Sequence, residues 1–332
     1  MEAWGFSLTV RGRADNFSAK MQIFRHFSGL PEAVRGAAVA IGNFDGVHLG
    51  HQAVINEAGR IARSSGVPWG VLTFEPHPRA VFTPDSGQFV LTPYRMKARH
   101  IEELGVDFLV VLHFDMNFAR RSAEAFVSEI LVDGLGAHHV VSGFDFGFGH
   151  KREGDGAFLA KAGMRHGFAS TTVPAVDDAS GEPVSSTRIR ELLVAGDPRG
   201  AAALIGRPYQ IEGRVVPGDQ RARDLDVPTA NIVLEQSIHP AIGIYAVRAG
   251  LDLGKQTVWH DGVANFGYRP TLGAGGLVFE SHLFDFSGDL YGRHLRVALI
   301  DFLRPEVEFT TVEALRAQID DDCREARRRL AG

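Results

Sequence analysis

The sequence predicts two domains in series: an α/β domain built on a doubly wound parallel sheet, then a small antiparallel β-barrel that ends in a helix. Three observations carry this. Short apolar runs alternate with helical-period segments as far as about residue 206, the pattern of strands crossed by helices. Beyond that point strand-like runs follow one another across Gly, Pro and Asp turns without helices between them, as in an antiparallel sheet. The length, 332 residues, exceeds the roughly 100–200 residues of a typical domain.

Residues 1–20 carry Glu2, Arg11, Arg13 and Asp15 but no apolar signal core, so they read as a poorly ordered extension rather than a secretory signal. The first domain is assigned to residues 21–190. Residues 37–41 are apolar and form its first strand. The turn Gly42-Asn43-Phe44-Asp45-Gly46-Val47-His48-Leu49-Gly50-His51 follows; its glycines leave room for a ligand to approach the backbone. Residues 52–64 continue as a helix with apolar positions at helical spacing. Further strands are expected at 69–74, 108–112, 139–142 and 170–173, and further helices at 95–104, 122–132, 155–163 and 187–195. Ligands of a doubly wound sheet bind at the carboxyl ends of its strands, and the glycine turn lies at such an end. Residues 191–206 read as a helical linker, in which the 187–195 helix leads through Gly196-Asp197-Pro198 into a short helix that stops near Gly206-Arg207-Pro208. The barrel domain, 207–332, takes strands at 209–216, 242–249, 257–265, 278–286 and 294–303. Residues 311–330 close the chain as a charged amphipathic helix whose arginines form a solvated face.

Composition narrows the function classes. Hydrophobic residues make up 45% and charged residues 23% of the chain, enough to bury a sizeable core. A net charge of -5 gives no electrostatic argument for nucleic acid or an anionic membrane. Cys323 is the only cysteine, which excludes intrachain disulfides and cysteine-built metal sites. No apolar stretch nears the ~18 residues of a membrane span. A reducing cytoplasm fits, and a weak homo-oligomer is compatible with the sequence.

Two segments carry most of the chemistry. His48 and His51 sit at the mouth of a helix, whose N-terminus offers free N–H groups and a positive dipole end to a polyphosphate. Two imidazoles on one turn can stabilise the charge a phosphate gains in a transition state. A lone histidine would more often pack in a core, but the ten-residue arrangement points to chemistry. In Val184-Ser185-Ser186-Thr187-Arg188-Ile189-Arg190, the hydroxyls at a helix start suit triphosphate oxygens and Arg190 supplies charge; the plain alternative is a helix cap with a surface arginine. Three further segments are less decisive. Leu91-Thr92-Pro93 with Lys97 is either a ligand-facing helix start or a cap beside a surface lysine. Phe74-Glu75-Pro76-His77-Pro78 rigidifies the loop after a strand. The phenylalanines of 143–149, spaced by glycine, form either a stacking platform or core.

The histidine turn resembles the HxGH signature of the nucleotidyltransferase superfamily. With Asn43-Phe44-Asp45-Gly46 ahead of His48, it looks like the bacterial bifunctional riboflavin kinase/FAD synthetase family, and the resemblance runs from about Phe27 to the C-terminal helix. It implies that FMN attacks the α-phosphorus of ATP to give FAD and pyrophosphate, with Mg²⁺ offsetting triphosphate charge. By that resemblance His48, His51 and Arg190 carry the transfer. Gly42, Asn43, Phe44, Asp45, Gly46, Gly50, Ser185, Ser186 and Thr187 bind nucleotide, while Phe74, Pro76, His77, Asp145 and Phe146 frame the flavin.

The second domain resembles the family's riboflavin kinase. Pro228-Thr229-Ala230-Asn231 is the main match, and Thr229 and Asn231, on one side of a strand, can reach a Mg²⁺ bound with ATP. Glu280 falls where the family places its catalytic base, which takes the ribityl 5′-hydroxyl proton. Residues 222–227, Ala-Arg-Asp-Leu-Asp-Val, depart from the family's Gly-Arg-x-Leu-Gly-Phe. Arg223 survives as an ATP contact, but Asp226 adds a Cβ and a negative charge near the phosphates, which predicts weakened kinase activity. Two other readings stay open: another HxGH adenylyltransferase, which leaves the barrel unexplained, and a flavin-binding regulatory protein with a degenerate kinase barrel.

Overall fold

A computed structural model describes residues 20–84, 87–216, 229–234, 237–253, 256–268 and 277–331. Residues 1–19 of the expected extension, and 222–227 with Arg223, lie outside the described residues. The first domain is a six-stranded, wholly parallel sheet in the order β1-β4-β3-β2-β5-β6. Its strands are β1 (Gln22–Phe24), β2 (Ala38–Ile41), β3 (Trp69–Glu75), β4 (Phe108–His113), β5 (His139–Gly143) and β6 (Ala169–Val173). From β2 the chain steps outward through β3 and β4, then returns to place β5 on the other flank of β2. The switch point therefore lies between β2 and β5, where a doubly wound sheet opens a crevice.

The middle strands are buried on both faces, as the near-continuous apolar runs imply. Val71 and Leu109 face α1 (Leu49–Ser65), while Leu72 and Val110 pack on the other side. That second layer is α4, which begins as Ala123–Ala125 and continues in π geometry over Phe126–Gly134, with α5 (Gly156–His166) beside it. Two short helices, α2 (Pro78–Phe82) and α3 (Tyr94–Glu102), follow β3.

Two helices lead from the first domain to the barrel, α6 (Ser186–Val194) and α7 (Pro198–Ile205). Gly196 (φ +78) and the Asp197 cap, which accepts from Gly200 N, break the chain between them. The barrel is closed in the order β10-β11-β8-β7-β12-β9. Its strands are β7 (Tyr209–Val216), β8 (Ala230–Val233), β9 (Gly243–Leu253), β10 (Gln256–Tyr268), β11 (Leu277–Leu283) and β12 (His294–Arg304). The last helix, α8 (Val312–Leu330), covers the barrel's outer face through Ala326 and Leu330 against Ala246 and Val263. Among the described residues no helix is long and apolar enough to cross a membrane.

The barrel core reaches into the first domain. Leu91 and the α6 residues Ile189 and Leu193 belong to the same apolar cluster as Tyr209, Ile211 and Phe279 of the barrel.

Candidate active site

The turn after β2 is bent by two non-glycine residues in the left-handed region, Phe44 (φ +49) and Val47 (φ +41), and by Gly46 (φ +93). A side chain on Gly46 would meet Leu91 Cδ1 at 2.9 Å. The turn delivers His48 as the N-cap of α1, and His48 Nδ1 accepts from the His51 amide at 3.3 Å. Because Nδ1 accepts, the proton of neutral His48 sits on Nε2 and is available as a donor. The His48 and His51 rings stack at 3.6 Å between centroids. Burial, the largest cause, lowers His48 to about 4 and places His51 well below its ordinary value. Both are therefore neutral N–H donors at pH 7, suited to phosphate oxygens.

Asp45 and Arg190, expected as ligand contacts, tie the site together internally. Asp45 is 2% exposed and accepts from Leu91 N at 3.0 Å and Thr92 N at 2.9 Å. Arg190 donates to Asp45 Oδ2 at 2.5 Å and to Phe89 O at 2.7 Å. Thr92 is no helix cap: its Oγ1 accepts from Gly46 N at 2.8 Å. Ser186 Oγ donates to Asp45 O at 2.8 Å, so the second signature is bonded to the first. Ser185 caps α6 by accepting from Arg188 N, and Thr187 is exposed.

A cavity of about 550 Å³ opens at the switch point. Its lining includes Gly42, Asn43 and Phe44 from the loop after β2 and His51 from the first turn of α1. Phe74 comes from the end of β3 and His77 from the N-cap of α2, and Asp145 and Phe146 come from the loop after β5. His48 stacks against His51 outside this lining. The Glu75–Pro76 peptide is cis; Pro78 rather than Pro76 lines the wall. Phe146 and Phe148 are near-parallel at 5.6 Å, a flat apolar wall for an aromatic ring.

Sequence patterns alone gave no sign of Phe114, Phe118 and Arg121, which also line the cavity. They follow β4 in a stretch without a motif. Lys97 is 2% exposed rather than at the surface, and it donates to Glu75 Oε2 at 3.3 Å. Its charge, with that of Arg190, helps hold His51 neutral.

On the barrel, Asn231, Glu280 and Asn265 face one another across β8, β11 and β10. Directly paired residues of antiparallel strands share a face, and the flanking Ile232, Phe279 and Phe266 fill the interior, so this row points outward. Asn231 is buried and Glu280 half-buried. Asn265 Nδ2 donates to Glu306 Oε1 at 3.1 Å. Thr229, two residues before Asn231, is half-buried at the start of β8. The motif stretch 269–271 lies outside the described residues.

Comparison with known proteins matches both halves. A family model described as FAD synthetase covers residues 30–188, and one described as riboflavin kinase covers 205–330. The bifunctional riboflavin kinase/FMN adenylyltransferase of Pseudomonas fluorescens is 44% identical over 92% of this chain and 97% of its own. Its namesake in Escherichia coli K12 is 40% identical over 91% and 96%. A solved structure described as a macrolide-efflux protein from Streptococcus pneumoniae superposes with a TM-score of 0.79 at 29% identity, over 92% of this chain and 97% of that one. Two site-bearing domains and this likeness along nearly the whole length place the chain in the bifunctional riboflavin kinase/FMN adenylyltransferase family.

Proposed function

We propose that the chain makes FAD in two ATP-dependent steps, phosphorylating riboflavin on the barrel and adenylylating the resulting FMN at the parallel-sheet site. In the second step an FMN phosphate oxygen bonds to the α-phosphorus of ATP while the α–β bridging bond breaks and pyrophosphate leaves. Nothing covalent forms on the protein. Catalysis is then positioning plus stabilisation of charge on the transferring group. The flavin ring stacks in the aromatic cavity, framed by Phe74, His77, Asp145 and Phe146. His48 Nε2–H and His51 donate to the phosphates, and the free N–H groups of the first turns of α1 and α6 face the same anion. Arg190 serves through Asp45 to hold the two signatures together, and its guanidinium adds positive potential.

In the kinase step Glu280 accepts the ribityl 5′-hydroxyl proton as that oxygen bonds to the γ-phosphorus of ATP, while the bond from the γ-phosphorus to the β–γ bridging oxygen breaks and ADP leaves. Thr229 and Asn231 offer hard oxygen donors, and the described residues hold no cluster of carboxylates or histidines able to bind a metal alone. That donor set fits Mg²⁺ carried in with the nucleotide; there it would offset phosphate charge.

The observation that carries the reading is the junction of the two signatures at the cavity: Ser186 bonds to the Asp45 carbonyl while His51, six residues further on, lines the flavin-sized space. Product analysis tests it. Purified protein with FMN and ATP should release FAD and pyrophosphate, and His51→Ala should abolish this. With riboflavin, FMN formation should be slow because of Asp226, and restoring glycine at positions 222 and 226 should raise it. Rapid FMN formation by the unaltered protein would refute the loop argument.

A further inference from the structure

Val47 presents a problem that the two signatures do not solve. A β-branched residue in the left-handed region is an outlier, and a residue held there persists only where its surroundings over-determine it. The carbonyls of the turn show what does so. Val47 O accepts from Gln52 Nε2 at 2.9 Å and from Arg207 Nη1 at 3.0 Å, and Gly46 O accepts from Arg207 Nη2 at 2.9 Å. Gln52 is bonded in turn to Ile205 O at 2.8 Å. Thus both carbonyls immediately before His48 are clamped by the short segment that joins α7 to the barrel.

The clamp has a chemical consequence. A trans peptide points its N–H opposite its C=O, so drawing the Val47 carbonyl toward Arg207 turns the His48 N–H the other way. The same clamp sets the direction from which the His48 ring leaves the backbone. Arg207 is half-buried with its guanidinium solvated by these carbonyls, and desolvation lowers it to about 10. Its charge, like that of Arg190, favours neutral His48.

We infer that Arg207 is a positioning residue for adenylyl transfer, contributed by the entry to the barrel domain, and that the histidine turn is incomplete without it. This rests on the reading that the His48 turn transfers the adenylyl group. The two can fail separately: an unaltered protein that makes no FAD from FMN and ATP sinks the reading, whereas the inference is tested by variants of an active protein.

Arg207→Met keeps the apolar stem and loses both hydrogen bonds. Arg207→Lys keeps the charge but cannot span two carbonyls in the fork geometry. Steady-state FAD formation should lose about a hundredfold in kcat for Arg207→Met, the scale of a misplacement of about 1 Å, with KM for FMN unchanged. Arg207→Lys should fall between Arg207→Met and the parent. Added guanidinium should restore part of the kcat of Arg207→Ala, which a purely structural defect would not allow. Wild-type kcat in Arg207→Met would overturn the inference. So would a loss shared by kcat and KM that tracks a lowered melting temperature and is not restored by guanidinium.

Discussion

At the scale of single residues, the proposed chemistry turns on the protons of two stacked imidazoles. The folded values for His48, about 4, and for His51 lie below the ordinary 6.5 because burial penalises the charged form. As pH falls, the unfolded chain therefore binds protons first. The stabilisation tied to neutral rings is complete above 6.5 and is lost as pH drops toward 4. For His48 the loss is about 3 kcal/mol. Urea unfolding compared between about pH 7.5 and about pH 5 should record about 2 kcal/mol of it, and His48→Asn, which keeps a cap acceptor, should shrink it. A stability flat across that interval would refute the neutral pair. The identities of these histidines were legible because ten residues of motif surround them. The internal use of Asp45 and Arg190 was not, since their partners Leu91, Thr92 and Phe89 lie far off in sequence. The same charge patterns would have served a ligand.

At the scale of elements, the helix that carries the site begins three residues earlier than its apolar periodicity implies. Ser, Thr, Asp and Asn are the usual caps; here an imidazole nitrogen takes that role, and no propensity rule marks it. Strand β1 also escaped notice, because three residues with two exposed carry no apolar signature and depend on pairing with β4. Helix α2 has no buried residue and so no amphipathic stripe. By contrast β7 was readable to the residue, since alternation between a Pro-marked start and a turn leaves one register. Gly50 tests how far the first turn of α1 is built for chemistry rather than stability. A Cβ there would sit 3.2 Å from His48 Cε1 and 3.3 Å from Nδ1, so the ring must shift by a few tenths of an ångström. Alanine is favoured over glycine within a helix by about 1 kcal/mol. Gly50→Ala should therefore leave the melting temperature equal or higher while FAD formation falls about tenfold or more, the cost of a misaligned donor. Unchanged turnover would show that the ring does not need its present pose.

At the scale of the whole molecule, the sequence gives a boundary near residues 190–206, but the packing crosses it. Tyr209, the first residue of β7, is 3% exposed and donates to Leu91 O at 3.1 Å. Leu91 is the residue that packs on Gly46 and whose amide holds Asp45. Arg99 of α3 bonds to Glu212 of β7 at 2.8 Å, and Ile238 N to Val90 O at 2.8 Å. A domain boundary with apolar core on both sides does not behave as a hinge; neither half can expose its share of that cluster without opening the other. The chain should therefore unfold in one transition, with calorimetric and van't Hoff enthalpies equal. Tyr209→Phe keeps the ring and leaves the buried Leu91 carbonyl unpaired, which costs about 1–3 kcal/mol. Because that carbonyl belongs to the transferase half and the ring to the barrel, the loss should lower the single transition without splitting it. FMN bound at the parallel-sheet site should raise the midpoint of the same transition by mass action, including its barrel signal from Trp259 fluorescence. Two separated transitions, or a Trp259 signal that ignores FMN, would mean that the shared core is too weak to couple the sites.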